Sequence, residues 1–242
     1  RWDGVAWTLV EAPFDDFGAV FVTAERVFVA GRVRTRVLDR TSGAWSILGG
    51  PQLQEARAFV PTSEGLVLTA TGGRLFLMDM GTLTVEALPS PVLETLRAGL
   101  ELGERGDGLV LVGDGGAIVA GPSVRQLAKV ESPTTSDLTA LTLTGASDAM
   151  IIVGDDGVAL RGPSADALWL ETIPDYRSRA HAVVETSDGV ARVVGSAAFI
   201  LGPFLHFPIV TAPIHDLALT DLAFAWTHGG PEGQFTRLAL TP

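Results

Sequence analysis

Apolar residues in this chain fall in short runs, separated at near-regular distances by Gly, Pro and Asp. Three stretches show the habit clearly: LVLVGDGGAIVAGPS (109–123), MIIVGDDGVALRGPS (150–164) and VVGSAAFILGPF (193–204). The runs are too short for helices, and no window holds a helical period. Asp-Gly and Gly-Gly pairs between apolar runs are hairpin signals, because such turns need positive φ. After Ser136 the pattern predicts four strands: Leu138–Leu143, Ala149–Val153, Val158–Leu160 and Ala167–Ile173.

The pattern repeats. Pro13, Pro51, Pro91, Pro133, Pro174 and Pro213 each follow an apolar run, at intervals of 38 to 42 residues. The 29 residues after Pro213 and the 13 up to Pro13 together make one more interval, so the phase closes after six units. Six residues before each proline stands an apolar side chain: Trp7, Trp45, Val85, Leu127, Leu168 and Phe207. Gly113, Gly154 and Gly195 keep the same phase, as do Gly121, Gly162 and Gly202.

Four short strands repeated radially make a propeller blade. The sequence therefore predicts an all-β fold, a single six-bladed β-propeller domain over 1–242. Residues 4–10 (GVAWTLV) read as a fourth strand without its blade, and 214–242 as three strands lacking a fourth. Pairing them would complete the last blade, close the ring and cover two strand edges.

Composition adds exclusions. A hydrophobic fraction of 47% and a charged fraction of 19% argue against disorder. Net charge is −11, and 28 acids stand against 16 Arg and the single Lys129, which argues against phosphate neutralisation and nucleic-acid binding. With no Cys there is no disulfide, thiolate nucleophile or zinc–thiolate site; with no Asn there is no N-glycosylation acceptor. Scarce Lys and absent Asn, beside abundant Ala, Gly, Val and Arg, point to a GC-rich bacterial source. The chain opens on Arg1, so it is expected to be a processed product or part of a longer protein. The uncharged stretch around 195–214 is long enough to span a bilayer, but Pro203, Pro208 and Pro213 interrupt it and it fits the repeat, so no membrane span is expected.

The units resemble short propeller repeats of the Asp-box (BNR) and photosystem II assembly-factor type. The first half of that pattern is similar to Val112-Gly113-Asp114-Gly115-Gly116-Ala117-Ile118, the second to Asp3-Gly4-Val5-Ala6-Trp7. No unit holds the full Asp-box; Ser187-Asp188-Gly189 lacks the Trp. The resemblance implies a secreted or surface location, outside the cytoplasm. It does not imply sialidase chemistry, since the only Tyr is Tyr176, beside Arg177 and Arg179, and an arginine triad cannot be assigned.

Propeller ligands bind at one mouth of the central channel, where loops enter the innermost strands. Those strands are expected to begin two to five residues after each phase proline. The polar residues there are Asp15, Asp16, Gln54, Glu55, Glu94, Asp137, Arg177, Arg179, His215 and Asp216. This predicts an acidic rim with one basic sector, led by Asp16, Glu55, Glu94, Asp137, Arg177, Arg179 and Asp216 and suited to a cation, an amine or a basic peptide. The rival reading is that each acid caps its own loop. Arg32, Arg34 and Arg36 alternate, so on one strand they would share a face and offer a docking stripe to an acidic partner. The Gly-Asp turns at Asp114, Asp155, Asp156 and Asp188 read as hairpin turns, not calcium loops. The four histidines lack metal-ligand spacing, and the fourth-strand tryptophans read as packing between blades. No catalytic set, metal or cofactor is assigned.

These features predict a non-enzymatic scaffold that binds a protein partner within a larger assembly. A carbohydrate-binding propeller and a hydrolase acting at the channel, a glycosidase or a metal-dependent enzyme, are the alternatives.

Overall fold

A computed structural model describes residues 17–49, 53–103, 108–144, 149–172, 179–185 and 191–195, with the short pairs 200–201, 224–225 and 239–240. Four antiparallel four-stranded sheets follow one another. The first is β1 (Phe17–Val22), β2 (Arg26–Gly31), β3 (Thr35–Asp39) and β4 (Trp45–Leu48). The second is β5 (Ala56–Thr62), β6 (Gly65–Ala70), β7 (Leu75–Met78) and β8 (Val85–Leu88). The third is β9 (Leu96–Gly103), β10 (Gly108–Gly113), β11 (Ile118–Gly121) and β12 (Ala128–Val130). The fourth is β13 (Leu138–Leu143), β14 (Met150–Gly154), β15 (Val158–Gly162) and β16 (Trp169–Thr172). A fifth sheet pairs β17 (Ala180–Glu185), β18 (Ala191–Gly195) and β19 (Ile200–Leu201); β20 (Phe224–Ala225) pairs with β21 (Ala239–Leu240).

Each sheet is a blade, and the first strands β1, β5, β9, β13 and β17 lie side by side in that order. The second strands are the most buried, and alternation along them explains their unbroken apolar runs. Leu66 and Leu68 pack towards the first blade, whereas Val67 packs towards the third. Leu109 and Leu111 face back to the second blade, while Val110 and Val112 face forward to the fourth. Met150 and Ile152 face back; Ile151 and Val153 face forward to the fifth. A strand covered on both faces has no polar side to show. Phe21, Phe28 and Phe59 fill the first boundary, with ring centroids 6.1 to 6.5 Å apart. Each side chain so buried stabilises the fold by about 1.5–3 kcal/mol before entropy is counted.

The phased glycines mark close backbone approaches. A Cβ on Gly113 would lie 2.1 Å from the Thr95 carbonyl oxygen, and one on Gly154 2.1 Å from that of Asp137. Trp45 and Val85 open β4 and β8; Leu127 and Leu168 immediately precede β12 and β16. In the fourth blade the observed strands match the expected four within a few residues at each end. The strand expected at 4–10, and nearly all of the segment expected to pair with it, lie outside the described residues.

Candidate functional site

One irregularity recurs in all five first strands. The register between first and second strands shifts between Phe17 and Ala19, Ala56 and Ala58, Leu138 and Ala140, and Ala180 and Ala182. In the third blade Gly113 pairs with Leu96 and Val112 with Ala98, which is the same shift. The extra residues are Gly18, Arg57, Arg97, Thr139 and His181. A bulge of this kind bends the strand and re-aims one side chain. Here the bulged position reaches for the next blade. The Thr139 hydroxyl donates to the Ala180 carbonyl, and a Cβ on Gly18 would lie 2.8 Å from the Ala56 oxygen. Second strands end, and turns into third strands form, beside these bulges. All of them therefore sit at one end of the blades.

At that end a chain of ion pairs crosses the blade boundaries. Arg97 donates from Nε to Asp114 Oδ1 in its own blade, and its Nη2 lies 3.7 Å from Oδ2 of Asp137 in the next. Asp137 Oδ1 accepts from the Gly115 N–H at 2.8 Å. Arg179 Nη2 approaches Asp137 Oδ2 from the other side, also at 3.7 Å. Arg179 then grips Asp155 in a fork, Nε to Oδ1 and Nη2 to Oδ2, both 2.7 Å. This fork is the strongest arrangement a guanidinium and a carboxylate can make. It raises the Arg179 pKa, chiefly through the Asp155 hydrogen bonds. His181 is half-buried beside it. Burial first, and the Arg179 charge second, lower its pKa, while Asp155 acts the other way.

The first two blades carry a different balance. Glu55 has a left-handed backbone, φ 58°, which disfavours a residue with a Cβ. Its N–H donates to the Arg32 carbonyl at 3.0 Å, tying the second blade to the first. The Thr71 hydroxyl donates to Glu55 Oε2. That hydrogen bond, followed by the charges of Arg57, Arg74 and Arg32, holds the Glu55 carboxyl below its usual range. Arg32 and Arg34 are exposed in the turn that leads from β2 into β3, and Arg57 and Arg74 are exposed beside Glu55.

The structure redistributes the residues expected from sequence. Glu55, Asp137 and Arg179 do stand at the channel end. Glu94 does not join them: its carboxylate turns outward to Lys129 on the outermost strand β12, 3.3 Å away, and lines a shallow cleft with Pro91, Leu93 and Lys129. Its own N–H, then the Lys129 ammonium, lower its pKa. Arg32, Arg34 and Arg36 are not a stripe along one strand. Thr35 opens β3, so only Arg36 is on it, while Arg32 and Arg34 belong to the rim turn. The described rim is of mixed charge, because Arg57 and Arg97 occupy bulges that the loop-based reading passed over. A signal for them was present: an Ala follows each bulged position, as Ala19, Ala58, Ala98, Ala140 and Ala182. Asp16, Arg177 and Asp216 lie outside the described residues.

Asp137 is not capping its own loop, in contrast to Asp39 and Asp79 at the other end of the blades. Asp39 Oδ1 accepts from the N–H groups of Thr41 and Ser42, and Asp79 Oδ1 from those of Gly81 and Thr82. The Asp114–Gly116 and Asp155–Gly157 segments are tight turns, with φ 62° at Gly115 and 57° at Asp156. Trp169 is 48% exposed on the outer strand and donates to Glu171 at 3.1 Å, so it is not buried between blades as expected. Among the described residues no cluster of three His, Asp or Glu could hold a metal, and no helix is long and apolar enough to cross a membrane.

No family model matches the chain, and no curated protein matches it in sequence. Solved structures do match in fold, and they are β-propellers. A catalytically inactive virginiamycin B lyase from Staphylococcus aureus with quinupristin aligns at TM-score 0.67 and 15% identity, over 89% of this chain and 75% of that one. The nidogen/laminin complex aligns at 0.62 and 11%, over 80% of this chain and 78% of that one. The extracellular domain of BT4673 from B. thetaiotaomicron aligns at 0.64 and 14%, over 78% of this chain but only 27% of that one. The chain likewise spans 66% of a second lyase structure. At these identities the likeness establishes a β-propeller and nothing about activity.

Proposed function

We propose that the chain is a non-enzymatic docking disc for a protein partner, working in an extracytoplasmic assembly. In this reading residues 1–242 form one six-bladed ring of Asp-box-like repeats, closed when the strand at 4–10 completes the last blade.

The observation behind this reading is the condition of the rim. From Asp114 to Arg179 its charged groups are engaged with one another across blade boundaries. Groups bonded in this way stiffen a surface; they are not aimed at a reacting atom. A rigid polar rim on a regular ring suits recognition, where preorganisation reduces the entropy lost on binding. The nidogen/laminin structure shows a propeller of this general shape in a protein complex, and the BT4673 domain is extracellular. The virginiamycin B lyases show that the same fold also hosts an enzyme.

The test is gentle affinity purification of the tagged chain from its source, with mass spectrometry of what co-purifies. A stoichiometric protein partner is expected. Recovery of the chain alone would overturn the docking reading.

A further inference from the structure

We propose that the rim sector formed by the first two blades, Arg32, Arg34, Arg57 and Arg74 around Glu55, is a docking site for an acidic segment of the partner protein. This inference rests on the docking reading above.

The argument begins with charge. The chain as a whole carries −11, yet this sector holds four arginines to one carboxylate among its described residues. All four arginines are exposed. The rest of the described rim is different: Arg97 and Arg179 there are matched by Asp114, Asp137 and Asp155. The excess positive charge is therefore confined to one sector. On an acidic protein such an island gives orientation, since an acidic segment is attracted here and repelled elsewhere.

Geometry adds a second reason. The arginines come from two blades that are fixed to each other at this point. The Glu55 N–H bonds the Arg32 carbonyl across the boundary. Arg74 donates from Nε to the Thr71 carbonyl at 3.1 Å and from Nη2 to the Gln54 carbonyl at 3.2 Å, which holds its guanidinium against the Glu55 turn. Glu55 keeps its left-handed backbone in the middle of the group. Strain of this kind persists where surrounding structure over-determines it, and it gathers at ligand clamps. The Glu55 carboxylate marks where a carboxylate rests among these arginines. A segment with several acidic side chains would add more at the neighbouring exposed positions. Guanidinium groups suit it, because they bind carboxylates through paired hydrogen bonds.

The test uses the full chain and fluorescent hexaglutamate as the probe, followed by fluorescence anisotropy. The sector variant is R32E/R34E. The comparison variant is R40E/R125E, with the same charge change at the other end of the blades. Binding to the parent chain should weaken as salt rises. R32E/R34E should weaken it at least tenfold, while R40E/R125E should change it less than twofold. Circular dichroism confirms that both variants fold. No binding of hexaglutamate, or equal loss in both variants, would overturn the site. The same variants then enter the partner purification. A partner retained in full by R32E/R34E would overturn this inference and leave the docking reading standing. Sector-specific probe binding with no partner recovered would support the site and overturn the docking reading.

Discussion

Asp137 and Gly115 belong to different blades, yet the carboxylate of one accepts a hydrogen bond from the N–H of the other at 2.8 Å. The same carboxylate lies 3.7 Å from Arg97 on one side and from Arg179 on the other. A single side chain therefore ties three consecutive blades together at the channel end.

Removing it should be felt as a loss of stability. Asp137→Ala strands the Gly115 N–H and leaves two guanidinium groups without a shared partner. The expected cost is about 1–2 kcal/mol, the scale of one partly exposed hydrogen-bond network. Asp137→Asn keeps an acceptor for Gly115 and should cost less. Urea unfolding of both variants checks the order; equal losses would mean that charge, and not the cross-blade hydrogen bond, carries the effect.

Two glycines of the third and fourth blades should respond differently to alanine. At Gly154 the new Cβ would meet the Asp137 carbonyl at 2.1 Å, so backbone must move, at about 1–3 kcal/mol. At Gly115 nothing lies within 4 Å, and only the left-handed φ of 62° resists, at about 1 kcal/mol. Thermal unfolding should rank Gly154→Ala below Gly115→Ala.

The pH dependence follows from opposite groups. His181 has a lowered pKa when folded, so the unfolded chain binds its proton first as pH falls. Stability is complete above the unfolded His value, near 6.5, and declines below it until the folded value is passed. The lowered carboxyls of Glu55, Asp39 and Asp79 act in a separate window. Their contribution is present above about pH 4.5 and is lost as pH falls further. A series of Tm values against pH should show both declines. His181→Gln should flatten the upper one and leave the lower; an unchanged upper limb would remove His181 from the account.

Deleting residues 1–10 tests ring closure. Loss of the strand expected at 4–10 should lower Tm by several degrees, since it would uncover two strand edges in the last blade. An unchanged Tm would contradict closure.

How much of this was legible follows from what repeats. Blade phase could be read because Gly113 and Gly154 are fixed by a carbonyl at 2.1 Å, and because Val110, Ile151 and their neighbours are covered on both faces. Such constraints act on every blade, so they leave a period in the sequence. The rim could be read only in part. Asp137 and Arg179 were visible because they stand just before a strand. Arg57 and Arg97 were not, because a bulge turns an apparent strand interior into a rim position. Glu94 was misplaced because its partner, Lys129, lies 35 residues away on an outer strand. Pairing between distant residues leaves no period. Arg32 and Arg34 looked like part of a strand because alternation alone does not say where a turn ends.

The most direct measurement places a photo-cross-linking residue at Val33, between Arg32 and Arg34 and 43% exposed, and in a second protein at Ile47, 48% exposed on the outer strand β4. Each is irradiated in the presence of the co-purifying partner. A cross-link from Val33 to an acidic segment, with none from Ile47, is the result this account predicts. A partner captured at Ile47 and not at Val33 would contradict it.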